Sequence, residues 1–256
     1  MMADRIRQIA GVVTYGTVLW LNGLAGSGAL SGESIGVIAN RYPSYFLPAN
    51  YVFGIWSLIY LMLLVFTVYQ ALPGGRGSAV LHRVGWWWVL SGLLNMAWIV
   101  TFSFGVFGSA LLVMLGLLAT LIIIQNRIGP DSALTWTERV AVSYPFALYV
   151  SWISIATISN TFQFVTYREW SFLAINGPLW SASMVVVATG LAAMVVWKWR
   201  IWIAPLVVTW ALVGIALRFA DVPVISRTAW VMTVVGLAVL PSVLRSGRAA
   251  REVRAH

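Results

Sequence analysis

Residues 106–126 read VFGSALLVMLGLLATLIIIQN, a stretch without a charged side chain. An α-helix rises about 1.5 Å per residue, so a helix of this length crosses about 30 Å of hydrocarbon, the core of a typical bilayer. A helix also satisfies its own backbone N–H and C=O groups, which find no water inside the bilayer. The stretch therefore predicts a transmembrane α-helix.

Seven further stretches on both sides of this one have a similar length and composition. Of the 256 residues, 61% are hydrophobic and 9% are charged, and the mean hydropathy is +0.88, which excludes an ordinary soluble domain. We predict an all-α, polytopic transmembrane helical bundle of about eight spans, joined by connections too short to form a core of their own. The predicted spans are residues 8–29, 52–73, 84–104, 106–126, 140–163, 174–197, 201–219 and 227–245.

The positively charged residues predict the orientation of the bundle. With the N-terminus inside, twelve of the sixteen fall in inner segments and four in outer segments. Cytoplasmic segments of membrane proteins are enriched in Lys and Arg, so both chain ends are predicted to be cytoplasmic (N-in/C-in), with the plasma membrane as the default location. The formal charge of +9 then needs no nucleic-acid partner. The outer residues are Arg41, Arg168, Arg218 and Arg227, and the inner ones are Arg5, Arg7, Arg76, Arg83, Arg127, Arg139, Lys198, Arg200, Arg245, Arg248, Arg251 and Arg254.

Each chain end has two interpretations. Arginines recur every three residues from Arg245 to Arg254, in and before a basic cytoplasmic tail at residues 247–256. This spacing suits contact with anionic lipid head groups, and the alternative is a solvated tail that only sets the topology. At the other end, Arg5 and Arg7 precede an apolar run and a group of small residues. That pattern fits a retained first span or a cleavable signal peptide.

The residue types that catalyse reactions or bind metals are scarce. The chain has no cysteine, and its two histidines, His82 and His256, lie in a predicted connection and at the chain end. No charged residue falls in the middle of a span, which argues against proton pumps and rhodopsins. Serine and threonine residues in the helices have no histidine or carboxylate partner nearby in the sequence. We therefore predict no catalytic residue, no metal site and no cofactor.

Aromatic residues are abundant, with 15 Trp, 9 Tyr and 11 Phe. Many tryptophans fall near predicted span ends, where indole rings anchor helices at the membrane interface. Others lie deeper, on shared helical faces at spacings of three and four residues, together with amides and small side chains. These are Trp56 and Tyr60 in the second span, Asn95, Trp98 and Phe102 in the third, and Pro145, Tyr149, Trp152, Ala156 and Asn160 in the fifth.

These aromatic faces allow two interpretations. They can simply pack the helices together, since aromatic rings fill gaps and a buried Asn bonds across helices. Alternatively they line one pocket, because the predicted orientation places them at a common depth in the outer half of the bundle. The connection at residues 41–50 contains two prolines and would close such a pocket from outside. Flat rings with a few amides suit a planar, largely apolar, polycyclic ligand.

Three blocks on these faces resemble the tryptophan-rich sensory protein family, also called the TspO, translocator protein or peripheral benzodiazepine receptor family. The first block runs through residues 48–60 with the pattern W-x-x-x-Y, from Trp56 to Tyr60. The second is L-N-M-A-W at residues 94–98. The third covers residues 145–160 and resembles the family pattern P-Y-x-x-W-x-x-x-A-T-x-x-N.

The resemblance implies a five-helix TspO-like membrane domain at residues 1–165, followed by three additional transmembrane helices at residues 166–246. One hypothesis for the extra helices is that they cover a face used by five-helix members for dimerisation, and a homodimer is the alternative. Family members bind porphyrins and other tetrapyrroles, sterols and benzodiazepine-type drugs. The implied ligand-binding residues are Trp56, Tyr60, Asn95, Trp98, Phe102, Tyr149, Trp152, Ala156 and Asn160.

The leading functional hypothesis is a membrane sensor or carrier for a tetrapyrrole-like ligand. An enzyme that promotes porphyrin degradation is the second, although the sequence supplies no general acid or base for it. A transporter of uncharged metabolites is the third, because passage of an apolar solute needs no intramembrane charge. A purely structural role for the aromatic faces is the fourth.

Overall fold

The protein is all-helical in the computed structural model, which describes residues 2–72, 77–170, 177–238 and 240. Within these residues there is no β-strand. The helices are α1 (Met2–Ser27), α2 (Ile35–Arg41), α3 (Ile55–Ala71), α4 (Ala79–Val84), α5 (Trp87–Ser103), α6 (Phe107–Ile128), α7 (Trp136–Glu138), α8 (Tyr144–Tyr167), α9 (Pro178–Trp199), α10 (Ile203–Arg218) and α11 (Pro223–Ala238).

Eight of these helices are long, and each falls on one of the predicted spans. Five helical segments are long and apolar enough to cross a membrane on their own. The helices α5, α10 and α11 are also apolar but shorter, at 17, 16 and 16 residues. The prediction of a polytopic helical membrane bundle is confirmed. The five long segments are Asp4–Ser27, Asn50–Ala71, Phe107–Ile128, Trp136–Tyr167 and Pro178–Trp199.

The boundaries differ from the predicted ones where local signals are unusual. The short helix α2 was not predicted, and it begins after Ser34, whose side chain accepts a hydrogen bond from the backbone N–H of Val37. The helical segment at the predicted fifth span begins at Trp136 instead of residue 140, because a π-helical turn at Arg139–Ser143 joins α7 to α8. Pro145 follows this turn and has no N–H to donate, so the wider turn accommodates the missing backbone hydrogen bond.

Helix α8 is the centre of the bundle. In the most apolar window of Trp136–Tyr167, 83% of the residues are buried, against 28% to 39% in the other four long segments. The helix packs against α3 and α6 on one side and against α9 and α10 on the other. One hydrophobic core therefore extends from Trp152 of α8 to Val207 and Ile215 of α10.

The C-terminal helices α9, α10 and α11 pack against one another and dock on the rest mainly through α10, with α9 also contacting α8. The predicted boundary between residues 165 and 166 lies in the last turn of α8. The division into two domains at this point stays a prediction, as does the orientation of the bundle. The predicted basic tail at residues 247–256 lies outside the described residues.

Candidate functional site

The predicted aromatic faces meet around one cavity of about 210 Å³. It lies between α1, α2, α3, α5 and α8, and the connection before α3 closes it on one side. Seven of the nine residues predicted for the pocket line this cavity, and they come from three different helices. These residues are Trp56, Tyr60, Trp98, Phe102, Trp152, Ala156 and Asn160.

The remaining two predicted residues, Asn95 and Tyr149, lie one layer behind the cavity wall. The ring of Tyr149 packs against Trp56, with 6.2 Å between the ring centroids and 69° between the planes. Asn95 is buried and donates a hydrogen bond from Nδ2 to the Tyr149 hydroxyl at 2.9 Å. Its Oδ1 accepts one from Nδ2 of Asn22, a cavity residue, at 3.0 Å. Both residues therefore support the wall.

Four aromatic rings from α3 and α5 form a continuous column along the cavity. Trp56 stacks on Tyr60 with 5.5 Å between centroids, and on Trp98 with 5.8 Å, both at 22° between planes. Phe102 continues the column at 5.3 Å from Trp98. Trp152 of α8 meets Trp56 edge-on, at 6.2 Å and 84°. Such offset and edge-on pairs are favourable arrangements, so the column forms a stable apolar surface.

The polar groups of Trp98 and Asn160 in the cavity wall form hydrogen bonds with other protein groups. Trp98 donates a hydrogen bond from Nε1 to Oδ1 of Asn160 at 3.2 Å. Asn160 in turn donates from Nδ2 to the backbone carbonyl of Ala156 at 2.9 Å. The bond between Trp98 and Asn160 ties α5 to α8.

Two other donors at the cavity have no hydrogen-bond partner among the described residues. They are the hydroxyl of Tyr60 and Nε1 of Trp152, and both atoms are buried. A buried polar group without a partner costs about 1–3 kcal/mol. Neither atom is accessible from the cavity, so a ligand acceptor would reach them only after these side chains move. Among the described residues that line the cavity none is charged.

Sequence reasoning missed eleven cavity residues, and some of them had a usable signal. Ile155, Ser159 and Gln163 lie on the predicted face of α8 at spacings of three and four residues. Asn22 is a polar residue inside the first predicted span. Gly26 follows Asn22 by four positions on α1, and Ile99 follows Asn95 by four positions on α5. Leu47 and Pro48 belong to the connection at residues 41–50, which was predicted to close the pocket. The remaining residues, Ile35, Ala39 and Phe53, depend on how the chain runs around this connection, which no spacing encodes.

An open groove of about 600 Å³ adjoins the cavity. The two share Ile35 and Phe53, which therefore separate them. Unlike the cavity, the groove has a charged residue among its described lining residues, because Arg41 lines it together with Asn40 and Asn50.

A sequence model of the family described as TSPO-like protein matches residues 8–241, which is most of the chain. The chain belongs to the TSPO-like protein family. The match confirms the resemblance that the three sequence blocks indicated, and it extends through α9, α10 and α11. A search of curated proteins and a search of solved structures returned no match. Family and fold together make this TSPO-like protein an integral, multi-pass membrane protein.

Proposed function

We propose that this TSPO-like protein binds a planar, largely apolar molecule of the tetrapyrrole class in the aromatic cavity and acts as a membrane sensor or carrier for it. The observation that carries the proposal is the convergence of seven predicted residues from α3, α5 and α8 on one cavity. Flat aromatic faces favour a flat ligand through stacking and burial.

A ligand with hydrogen-bond acceptors at its edge would pair with two unpartnered donors once the cavity opens and exposes them. The Tyr60 hydroxyl and Nε1 of Trp152 are both buried at the cavity. No Asp, Glu, His or Lys lies among the described lining residues, where Tyr60 supplies the titratable side chain, and this favours binding over acid–base chemistry at neutral pH.

The size of the cavity bears on how a ligand binds. Pockets for drug-sized ligands measure about 300–1,000 Å³, and this cavity measures about 210 Å³. A tetrapyrrole therefore requires the cavity to open, and the adjoining groove of about 600 Å³ offers the space. We expect slow association for tetrapyrroles and faster association for smaller planar molecules.

A fluorescence titration tests the proposal. Detergent-purified protein is titrated with protoporphyrin IX in the dark while tryptophan emission is recorded. We expect saturable quenching, weakened several-fold by Trp152→Phe, which removes the indole N–H and part of the stacking surface. Trp197→Phe is the matched control, because Trp197 is 81% exposed on α9, far from the cavity lining.

Two results would contradict the proposal. One is the absence of saturable quenching in folded protein. The other is a Trp152→Phe variant that is less stable but binds unchanged, which is the outcome expected if the aromatic faces only pack the helices. Repeating the titration under light separates binding from degradation of the porphyrin.

A further inference from the structure

Residues 40–54 close the cavity on one side, and we call this segment the cover. It starts at the last turn of α2 and ends where α3 begins. Leu47, Pro48 and Phe53 of the cover line the cavity. A ligand that reaches the cavity from the adjoining groove must pass the cover.

Helix α10 holds the cover through hydrogen bonds to two backbone groups and one side chain near its start and middle. Nη1 of Arg218 donates to the carbonyl of Pro48 at 3.2 Å, and Nη2 of the same side chain donates to Oδ1 of Asn40 at 2.8 Å. The N–H of Ala49 donates to the carbonyl of Gly214 at 3.2 Å. The guanidinium thus joins two points of the cover that lie eight positions apart.

The same helix also holds the end of the cover. Nε1 of Trp210 donates to the carbonyl of Val52 at 3.1 Å. The Trp210 ring meets Tyr51 edge-on, with 5.2 Å between centroids. Gly214 allows this close approach, because a Cβ added there would lie only 2.2 Å from Cγ2 of Val52.

The contacting residues form one stripe on α10. Trp210, Gly214 and Arg218 are spaced by four positions and therefore share a helical face. On its other sides α10 packs against α8, α9 and α11. Since α8 provides the opposite wall of the cavity, α10 fixes the cover relative to that wall.

We propose that α10 is the anchor of the cover and that Arg218 is a positioning residue that sets how often the cavity opens. The inference gives the C-terminal helices a role in ligand access, and it rests on the proposed function only for the identity of the ligand. A guanidinium is suited to this position because it is always charged and its planar fork donates in two directions at once.

A thiol-labelling experiment measures the opening directly. The chain contains no cysteine, so one introduced by Ser44→Cys is unique. Ser44 lies in the cover and is only 5% exposed. The labelling rate with a maleimide therefore reports how often the cover opens. Ser27→Cys, at the exposed end of α1, serves as the reference for reagent access.

We expect Arg218→Ala to raise the labelling rate at position 44 by at least about tenfold, the change that loss of charge-assisted hydrogen bonds produces in an opening equilibrium. The rate at position 27 should stay unchanged. Arg227→Ala is the matched control, because Arg227 is exposed on the next helix. Arg218→Lys should give an intermediate rate, since it keeps the charge and loses the fork.

An unchanged rate at position 44 in folded Arg218→Ala protein would overturn the inference. If the rates at positions 44 and 27 rise together, the bundle itself has loosened. In that case the milder variant Trp210→Phe is tested for cover opening, because it removes one hydrogen bond and keeps an aromatic ring against Tyr51. If the ratio of the labelling rate at position 44 to that at position 27 in Trp210→Phe equals the ratio in the parent protein, the inference is overturned as well.

The rates of ligand binding and release are measured in a separate experiment. In the Arg218→Ala variant, protoporphyrin IX should associate and dissociate faster in stopped-flow quenching. If the parent protein does not bind protoporphyrin IX, the proposed ligand is wrong while the labelling result still decides the role of α10.

Discussion

Asp131 is a buried acidic residue in the connection between α6 and α7, and it is 7% exposed. Its Oδ1 accepts a hydrogen bond from the Ser143 hydroxyl at 2.5 Å, and its backbone carbonyl accepts one from Nε of Arg139 at 2.7 Å. Burial raises the pKa of the Asp131 carboxyl above its usual 3.8, although the Ser143 hydrogen bond and the Arg139 charge oppose the shift.

This pKa shift predicts the pH dependence of stability at one residue. A carboxyl whose pKa is raised by folding contributes stability below about pH 3.8, and that contribution is lost as the pH rises through the folded-state pKa. We therefore expect Asp131→Asn to raise the melting temperature at pH 7, by about 2–4 °C for each kcal/mol relieved. The asparagine keeps an acceptor for Ser143 and cannot ionise.

Thermal unfolding in detergent between pH 4 and pH 7 checks this expectation. The advantage of the asparagine variant should shrink toward pH 4. Asp131→Ala is the control that also removes the acceptor, and it should be less stable than Asp131→Asn throughout. An asparagine variant that is less stable than the parent by the same amount at every pH would contradict the prediction.

Among the helices, α1 and α5 approach closely at Gly92. A Cβ added to Gly92 would lie 2.2 Å from Cγ2 of Thr14 on α1, far inside van der Waals contact. Small residues allow membrane helices to pack tightly in this way. By contrast, a Cβ added to Gly116 of α6 would lie 3.7 Å from Leu94, an ordinary contact distance.

We expect Gly92→Ala to lower the free energy of unfolding by about 1–3 kcal/mol, the usual effect of overpacking. Gly116→Ala, the matched control, should be neutral or slightly stabilising because alanine favours helices over glycine. Adding Thr14→Ser to Gly92→Ala removes the methyl group that clashes and should restore part of the loss. Equal stabilities of the two alanine variants in thermal unfolding would disprove the close contact.

In the whole molecule, the C-terminal helices cover α8. In the most apolar window of Trp136–Tyr167, 83% of the residues are buried, which leaves this part of α8 little surface for a second copy. We predict a monomer in mild detergent, measured by native mass spectrometry or by light scattering after size exclusion. A dimer that crosslinks through α1, α3, α5 or α6 would contradict the idea that the extra helices replace a dimer interface.

Much of the fold could be predicted from the sequence because its signals are local. Apolar stretches of the length of residues 106–126 mark the membrane spans, and hydrocarbon offers a chain of that composition few alternatives to a helix. The short helix α2 was not predicted because its seven residues are too few to give a membrane-span signal, and its only local signal is the cap at Ser34.

Part of the candidate site could also be predicted from the sequence, because its signals are local. Spacings of three and four residues place side chains on one helical face, so Trp98, Trp152 and Asn160 could be grouped before their contact was known. Periodicity could not separate the cavity wall from the layer behind it, because that depends on how neighbouring helices are rotated. Asn95 and Tyr149 therefore lie behind the wall, and the connection at residues 41–50 was expected at the pocket without its individual lining residues.

By itself the sequence determined the class of the protein, its membrane helices, its family and most of the aromatic wall. Only the tertiary structure decided that α10 holds the cover. The hydrogen bonds from Arg218 join residues 170 and 178 positions apart in the chain. Contacts at such separations arise when whole helices pack, and hydropathy and periodicity describe only the helix in which they occur.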